Sequence, residues 1–577
     1  MLCAWLALAG ASPAWAKKAA SARATDQPSC TRAPEGAEAV SPVELRSKNG
    51  VLKVALTVRS SVDNNGHMRY CYIDSHGNQS PTLRVQPGDT LAITLKNEIS
   101  LAANASSSVA SSVASGDHVA MKHVAHRDPC AGGEMNPSAT NLHFHGLAIP
   151  PLCHQDETLK TLIEPGDPPF EYRVEIPKNQ APGLYWYHPH VHGFTEEQVL
   201  GGASGAIIVE GMERAAPRVA GLRERVFVIR DEKMPEPAAD EKPDPMRPTK
   251  QISINYIPVP YPKYPPAVVK MKPLEPQFWR VLNASADTYI DLGLEYGGKR
   301  QSMELVALDG VPLRYGEPGA ETYAPRQTRI FMPPATRAEF IITGPPPGVS
   351  GHLVTNSVYR GAEDDDRPVT TRSAAQPALR IGLDDVDSAR PLLAIIPADS
   401  DSAPLLRAAT TTPATPLPAL STIRPVRKRT LYFSEKLVEP SDPKSATLFF
   451  ITEEGHEPAV FNMQNSEPTI TVHQGDVEDW TIENRSRESH TFHAHQLHFI
   501  VIGGRTVRWE EPTLRDTVDV AAWDGFRKYP SVIVRMDFRD PNIVGTFPFH
   551  CHIMQHVDGG MMGTIRVEPA TGSAGLH

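Results

Sequence analysis

Apolar and polar positions along this chain alternate with the period of strands. Val54, Leu56 and Val58 alternate with Lys53, Ala55 and Thr57, the pattern of a half-buried strand. The stretch Pro81-Thr-Leu-Arg-Val-Gln-Pro-Gly88-Asp89-Thr-Leu-Ala-Ile-Thr-Leu-Lys-Asn97 predicts two strands joined by a turn at Gly88-Asp89. Further on, 225–230, 278–283 and 338–343 read as strands between Pro- and Gly-rich turns. Near the C-terminus, the apolar Phe547 and Phe549 predict a strand running through Cys551. The fold class expected is all-β.

The pattern also repeats. Pro468-Thr-Ile-Thr-Val-His-Gln-Gly475-Asp476-Val-Glu-Asp-Trp-Thr-Ile-Glu-Asn484 restates the phrase at 81–97. Each copy is followed by a histidine cluster, Leu142-His143-Phe144-His145 and Phe492-His493-Ala494-His495. Each copy also closes alike. Gly183-Leu-Tyr-Trp-Tyr-His188-Pro189-His190 matches Gly545-Thr-Phe-Pro-Phe-His550-Cys551-His552, and 201–210 matches 559–568. Residues 41–212 and 426–570 therefore read as two copies of one β domain, the first carrying a Ser/Ala/Gly-rich loop insertion at 100–139. The intervening 213–395 holds one histidine, His352, and no cysteine, and reads as a spacer β domain with no metal site of its own. Residues 396–425, rich in Pro, Ala and Thr, read as a linker. At roughly 150 residues per domain, 577 residues suit three or four such units.

Composition narrows the setting. No basic tract is present, which argues against a nucleic-acid partner, and the net charge of -10 mainly favours solubility. Residues 1–16, ending in Ala14-Trp-Ala16, read as a signal peptide, followed by a loose leader to residue 40. No later run is long and apolar enough to span a bilayer. A periplasmic or secreted monomer is expected. Cys3 would leave with the signal peptide. Cys30, Cys71, Cys130 and Cys153 remain beside Cys551, and four cysteines allow three pairings in an oxidising compartment. Cys30–Cys71 with Cys130–Cys153 is the one we favour.

The candidate chemistry lies in the last copy. On a strand, His550 and His552 share one face and Cys551 points to the other, so one peptide touches two metal sites. His556 and Met561 follow and can fold back to the thiolate side, while His490 supplies a second imidazole three residues before His493. His490, Cys551 and His556 with a weak axial Met561 make a blue-copper ligand set. Four His-x-His pairs stand at equivalent places: His143/His145, His188/His190, His493/His495 and His550/His552. Eight imidazoles meeting between the two copies suit a cluster of three coppers. In the first copy Pro189 stands where Cys551 stands, and Ala203 where Met561 stands. A single thiolate site is therefore expected.

Together the motifs HFHG, HPHVHG, HTFHAH and HCHIMQHVDGGM resemble those of the multicopper oxidases, the laccase-like family. The resemblance implies three cupredoxin-like Greek-key β-sandwich or barrel domains, with the copper cluster between the first and third. By analogy, His490, Cys551, His556 and Met561 would hold a type 1 copper, and His143 and His493 a type 2 copper. His145, His188 and His552 would hold one type 3 copper, and His190, His495 and His550 the other. The resemblance further implies four copper ions in all. Substrate would give one electron at a time to the type 1 copper, and four electrons would reduce dioxygen to water. Family members place carboxylates near the cluster; Asp156, eleven residues after His145, is the candidate proton donor, with Glu157 second. Some bacterial members carry an acid directly after the second type 1 histidine; here that place is Val557, and Asp558 would point elsewhere on a strand. His192 and His498 are read as supporting the ligands or the fold.

Three functions fit this reading. A laccase-like oxidase of phenols or similar small aromatic donors is preferred, because the axial residue is Met561 and no methionine-rich insertion is visible. A metal oxidase acting on Cu(I), Fe(II) or Mn(II) is the alternative, and it calls for acidic or Met residues near His490 and His556. A copper-binding protein without turnover is third, since a carrier needs only the type 1 site.

Overall fold

The computed structural model describes residues 30–101, 127–237, 244, 247–317, 319–361, 386–410, 419–439, 445–465, 467–505 and 513–570. The expected signal peptide at 1–16, with Cys3, lies outside them, as do residues 17–29 of the leader, 102–126 of the loop insertion and 411–418 of the linker. Strands dominate, and the three longest cores follow the chain: one in 52–209, one largely in 227–395 and one largely in 431–567.

Alternation becomes burial where a strand has one face on a core. In Val51–Val62 the side chains of Leu52, Val54, Leu56 and Val58 are buried while Lys53 and Ala55 are exposed. This strand lies in a sheet ordered Met68–Asp74, Val51–Val62, Thr90–Glu98, Phe170–Glu175. A second sheet runs Glu44–Arg46, Thr82–Val85, Gly205–Val209, Gly183–His188, His143–His145.

The repeat read from sequence is a repeat of topology. The last sheets run Thr447–Glu453, Arg427–Leu437, Val477–Asn484, Ser531–Asp537 and onward, and Ile470–His473, Met562–Glu568, Gly545–Cys551, His490–Ala494, Thr517–Val520. Strand by strand, parallel and antiparallel pairings follow the same sequence in both copies. Register then aligns the histidines: His143 stands opposite His188 and His493 opposite His550.

The middle sheets include the three strands expected there, Arg223–Lys233, Pro276–Asn283 and Arg337–Thr343, paired in that order. They pack on the first copy through Leu184, Trp186, Ala206 and Ile208. A buried ion network joins Arg84, Glu224, Arg280 and Glu339 across the same seam. They also reach the last copy, whose core takes in Tyr289 and Val358. Disulfides join Cys30 to Cys71 and Cys130 to Cys153, the favoured pairing. No described helix is long and apolar enough to cross a membrane. The short helix Met554–Asp558 replaces the strand assumed for Asp558.

Candidate metal centre

Cys551 ends the strand Gly545–Cys551 and is fully buried. Its Sγ lies 3.6 Å from Nδ1 of His490 and 3.6 Å from Nδ1 of His556. Those two nitrogens are 3.1 Å apart. His490 arrives on the neighbouring strand, with Phe492 directly opposite Cys551. His556 arrives on the helix Met554–Asp558, which turns the chain back over the strand end. The Met561 N–H donates to the His556 carbonyl at 2.9 Å, and the Cys551 N–H to the Met561 carbonyl at 3.1 Å. Met561 is buried in the same core. The structure thus brings together all four residues expected at the thiolate site.

The outer ring nitrogens here meet groups that sequence reasoning missed. His490 Nε2 lies 2.7 Å from Ser486 Oγ and 3.0 Å from Glu435 Oε1. His556 Nε2 lies 3.2 Å from Glu488 Oε2, and Arg360 Nη1 donates to Glu488 Oε1 at 3.0 Å. Burial raises the Cys551 thiol, but hydrogen bonds from His490 and His556 outweigh it and hold the thiol down at about 6. The thiolate, the metal-binding form, is therefore favoured at neutral pH. Glu488 is two residues from His490 and could have been noticed; Glu435 carries no signal in the sequence.

The four His-x-His pairs converge at the seam between the two copies. His550 Nε2 lies 3.3 Å from His190 Nε2 and 3.1 Å from His495 Nε2. The rings of His145 and His552 are 5.1 Å apart, and each lies 5.8 Å from that of His188. The His143 and His493 rings are 6.1 Å apart. His143 is within 4.8 Å reach of His145 and His188 on one side and of His493 and His495 on the other, so the eight rings form one cluster. Burial lowers His143 and His550 to about 3. The rings are neutral, the form that binds metal.

Whether these residues fit copper can be tested on their nitrogens. Outer nitrogens are held: His188 Nδ1 at 2.9 Å from the Pro189 carbonyl, His493 Nδ1 at 2.8 Å from the Asp516 carbonyl, His550 Nδ1 at 2.7 Å from the Cys551 carbonyl. Other nitrogens are buried with no hydrogen-bond partner: His143 Nε2, His145 Nδ1, His188 Nε2, His493 Nε2, His495 Nδ1 and both of His552. Buried polar groups without partners are costly, and metal-binding imidazoles are oriented by a second partner on the outer nitrogen. The donor set fits copper.

Asp156 is buried, with both carboxylate oxygens 3.0 Å from His143 Nδ1. It accepts the Phe144 N–H at 2.8 Å and the Gln496 amide, and burial pushes its pKa well up. It holds His143 from behind. Glu157 is not brought to the cluster. Its carboxylate accepts the N–H groups of Leu159, Lys160 and Thr161, which closes a loop. Asp558 is corrected too. It sits on a helix and accepts the N–H groups of Gly193 at 3.0 Å and Glu196 at 2.8 Å, tying the two copies together.

The carboxylate that reasoning from sequence missed is Asp516. Its Oδ1 lies 3.3 Å from His145 Nε2, and it pairs with Arg337 from the middle sheets at 2.5 Å. Gly146, the last residue of HFHG, leaves space for that pair; a Cβ there would meet Arg337 Nη2 and Asp516 Oδ2 at 2.6 Å each. His498 Nε2 lies 3.1 Å from the Asp309 carbonyl and 3.8 Å from Asp516. His192 packs edge-on against Phe461.

Known proteins resemble the chain in the same places. The multicopper oxidase family matches residues 134–214 and 440–571, the segments that carry the histidine motifs. A multicopper oxidase of Staphylococcus haemolyticus is 24% identical over 439 residues, 74% of this chain and 76% of its own. A laccase of Bacillus subtilis is 23% identical over 457 residues, 73% and 78% of the two chains. Among solved structures, a Campylobacter jejuni multicopper oxidase described as a metallo-oxidase superposes with a TM-score of 0.59 at 20% identity, covering 93% of this chain and 96% of that one. McoA of Aquifex aeolicus superposes with a TM-score of 0.60 at 17% identity, covering 92% and 99%. Two segments of the chain thus match multicopper oxidase domains, and they are the segments whose eight imidazoles converge beside a thiolate and two more.

Proposed function

We propose that the chain is a four-copper oxidase built from three cupredoxin-like units, 41–212, 213–395 and 426–570. His490, Cys551, His556 and Met561 would hold the type 1 copper and His143 and His493 the type 2 copper. His145, His188 and His552, and His190, His495 and His550, would hold the two type 3 coppers. The carrying observation is the set of buried imidazole nitrogens that lack partners and face one another across the seam. Bound copper would accept single electrons from a donor and pass four to dioxygen, giving water.

The chain's own residues have distinct parts in this. Cys551 is covalently next to His550 and His552, so an electron at the thiolate site has a short path to the cluster. Asp156, on His143, and Asp516, on His145, are the acids within reach of the cluster's imidazoles. Asp156 remains the candidate proton donor, and Asp516 joins it in holding a ligand. Two disulfides support an oxidising compartment, periplasmic or secreted, and the chain would act as a monomer.

Phenol-like donors are the first reading. A metal-ion donor, Cu(I), Fe(II) or Mn(II), is the second, and one observation favours it. Glu435 and Glu488 stand on the outer nitrogens of His490 and His556, and carboxylate oxygens suit hard and borderline cations. The test is oxygen uptake by the copper-loaded chain, offered a phenol and each metal ion separately, beside Glu488→Gln. Four coppers per chain and uptake with the phenol, kept in the variant, support the first reading. Uptake with a metal ion that collapses in the variant moves the function to metal oxidation. No uptake with any donor overturns the oxidase.

A further inference from the structure

Neither imidazole of the thiolate site offers an edge to a donor. His490 is 0% and His556 1% exposed, and Phe433 and Phe449 cover their rings at 4.7 and 4.4 Å. A donor must therefore give its electron across intervening protein. A cavity of about 620 Å³ lies on the seam between the middle sheets and the last ones, lined in part by Phe331, Tyr359, Val518, Ser357, Arg515 and Asp519. Its size and its mixture of apolar walls with a few polar groups suit a small organic ligand, and domain seams are common places for such sites.

Two features of the lining choose the ligand. The first is Arg515, 9% exposed. Its Nε has no hydrogen-bond partner, and the nearest carboxylate oxygen, on Asp309, is 3.5 Å away. Asp309 already serves Thr517 and the Arg337 N–H. A buried guanidinium with a spare donor calls for an anion, and its planar fork matches a carboxylate. The second is the pair of ring-bearing walls, Phe331 and the half-exposed Tyr359, which suit an aromatic ring.

The wall behind Phe331 leads to the thiolate site. The Tyr289 ring is 5.8 Å from that of Phe331, and Tyr289 is 1% exposed. Its hydroxyl lies 2.9 Å from Thr491 Oγ1, and Thr491 is covalently joined to His490. Cavity, Phe331, Tyr289, Thr491 and His490 form a continuous line of ring contact, hydrogen bond and covalent bond.

We propose that this cavity binds a phenol bearing a carboxylate, of the hydroxybenzoate or hydroxycinnamate class, with the carboxylate on Arg515 and the ring against Phe331. This rests on the oxidase reading above and gives its donor a place. The phenol loses one electron, which tunnels by way of Tyr289 to the type 1 copper, and its hydroxyl proton passes to water. The phenol leaves as a phenoxyl radical. Tyr289 is a positioning residue that couples the cavity to His490 and is not itself oxidised.

The test uses the full chain, copper-free and copper-loaded, with syringate and the same phenol lacking the carboxylate. In the copper-free chain, calorimetry should show syringate binding that Arg515→Gln weakens roughly tenfold or more. The neutral phenol should lose far less. Ser357→Trp, at an exposed lining position, should block both by filling the cavity without disturbing the core. In the loaded chain, KM for syringate should rise in the same proportion in each variant. Tyr289→Phe should lower kcat several-fold, with KM and the blue absorption unchanged. Equal binding of syringate by the parent and Arg515→Gln chains, or an unchanged KM in Ser357→Trp, overturns the site. An unchanged kcat in Tyr289→Phe overturns the coupling. Syringate binding that follows these variants in a chain taking up no oxygen upholds the cavity and sinks the oxidase instead.

Discussion

The two histidine-bearing copies share a topology and a set of His pairs, yet only one builds a thiolate site. The difference lies on the inner faces of the same strands. In the last copy His490, Cys551, His556 and Met561 converge in the core. At the equivalent places the first copy has Thr140, Pro189, Phe194 and Ala203. Thr140 Oγ1 donates to Gln198 Oε1 at 3.1 Å, Phe194 packs with Ala139, Leu162 and Val191, and Ala203 belongs to the first copy's core. Their outward faces stayed alike because each supplies half of one cluster. A strand lets this happen, since substitution on one face leaves the other face in register.

The comparison breaks most completely at Cys551. Cys551→Ser should abolish the blue absorption and reduce oxygen uptake with any donor to that of copper-free protein. Copper content should fall by about one ion per chain, which metal analysis would read directly. Retained blue colour would place the thiolate site elsewhere.

Next in size is the support behind a shared-face ligand. Asp156→Asn should cost about 10–100-fold in cluster copper affinity or in turnover, while the blue absorption persists. Titration of copper-free protein followed by both signals separates the two sites. Equal loss of both would make Asp156 a residue of the whole fold.

The third effect is one of pH. The Cys551 thiol is held at about 6. Burial lowers His556, but Glu488 and the thiolate outweigh it and hold that ring well above its ordinary value. Metal binding therefore displaces the His556 proton at neutral pH, and the thiol proton as well below about pH 6. Affinity for the thiolate-site copper should rise roughly tenfold per pH unit through neutral pH and more steeply, up to about a hundredfold per unit, below about pH 6. The His143 and His550 rings, lowered to about 3, stay neutral throughout and add nothing to the slope. Competition with a chelator across pH 5 to 8, an interval about the folded value, measures it. An affinity flat above about pH 6 would mean that His556 is already neutral there and that Glu488 does not hold its proton.

The smallest effect expected is none. Pro189→Cys puts a thiol at the place equivalent to Cys551 but finds Thr140 and Phe194 where two imidazoles are needed. No second blue centre should form, and the copper count should not rise. A new blue band would mean that a thiol alone suffices in this scaffold.

These contrasts also separate what can be read along the chain from what cannot. Strand period, the repeat and the paired histidines are local patterns, and a two-residue alternation dictates which side chains share a face. That is why His550 and His552 could be assigned against Cys551, and why Asp156, near its histidine in sequence, could be found. Asp558 was misread because a tight helical turn, set by the packing of Met554 and Val557 against the first copy and Ala286, replaces the strand. Glu435, Asp516, Arg337 and Tyr289 were invisible for a different reason. Each reaches a ligand or its neighbour from another strand or another unit, and alternation fixes a face but never names what lies across from it. The sequence by itself determined which residues are candidate ligands and which copy carries each. Only the tertiary structure decided which acids stand behind them and where a donor finds a cavity, because those pairings arise from packing between surfaces far apart in the chain.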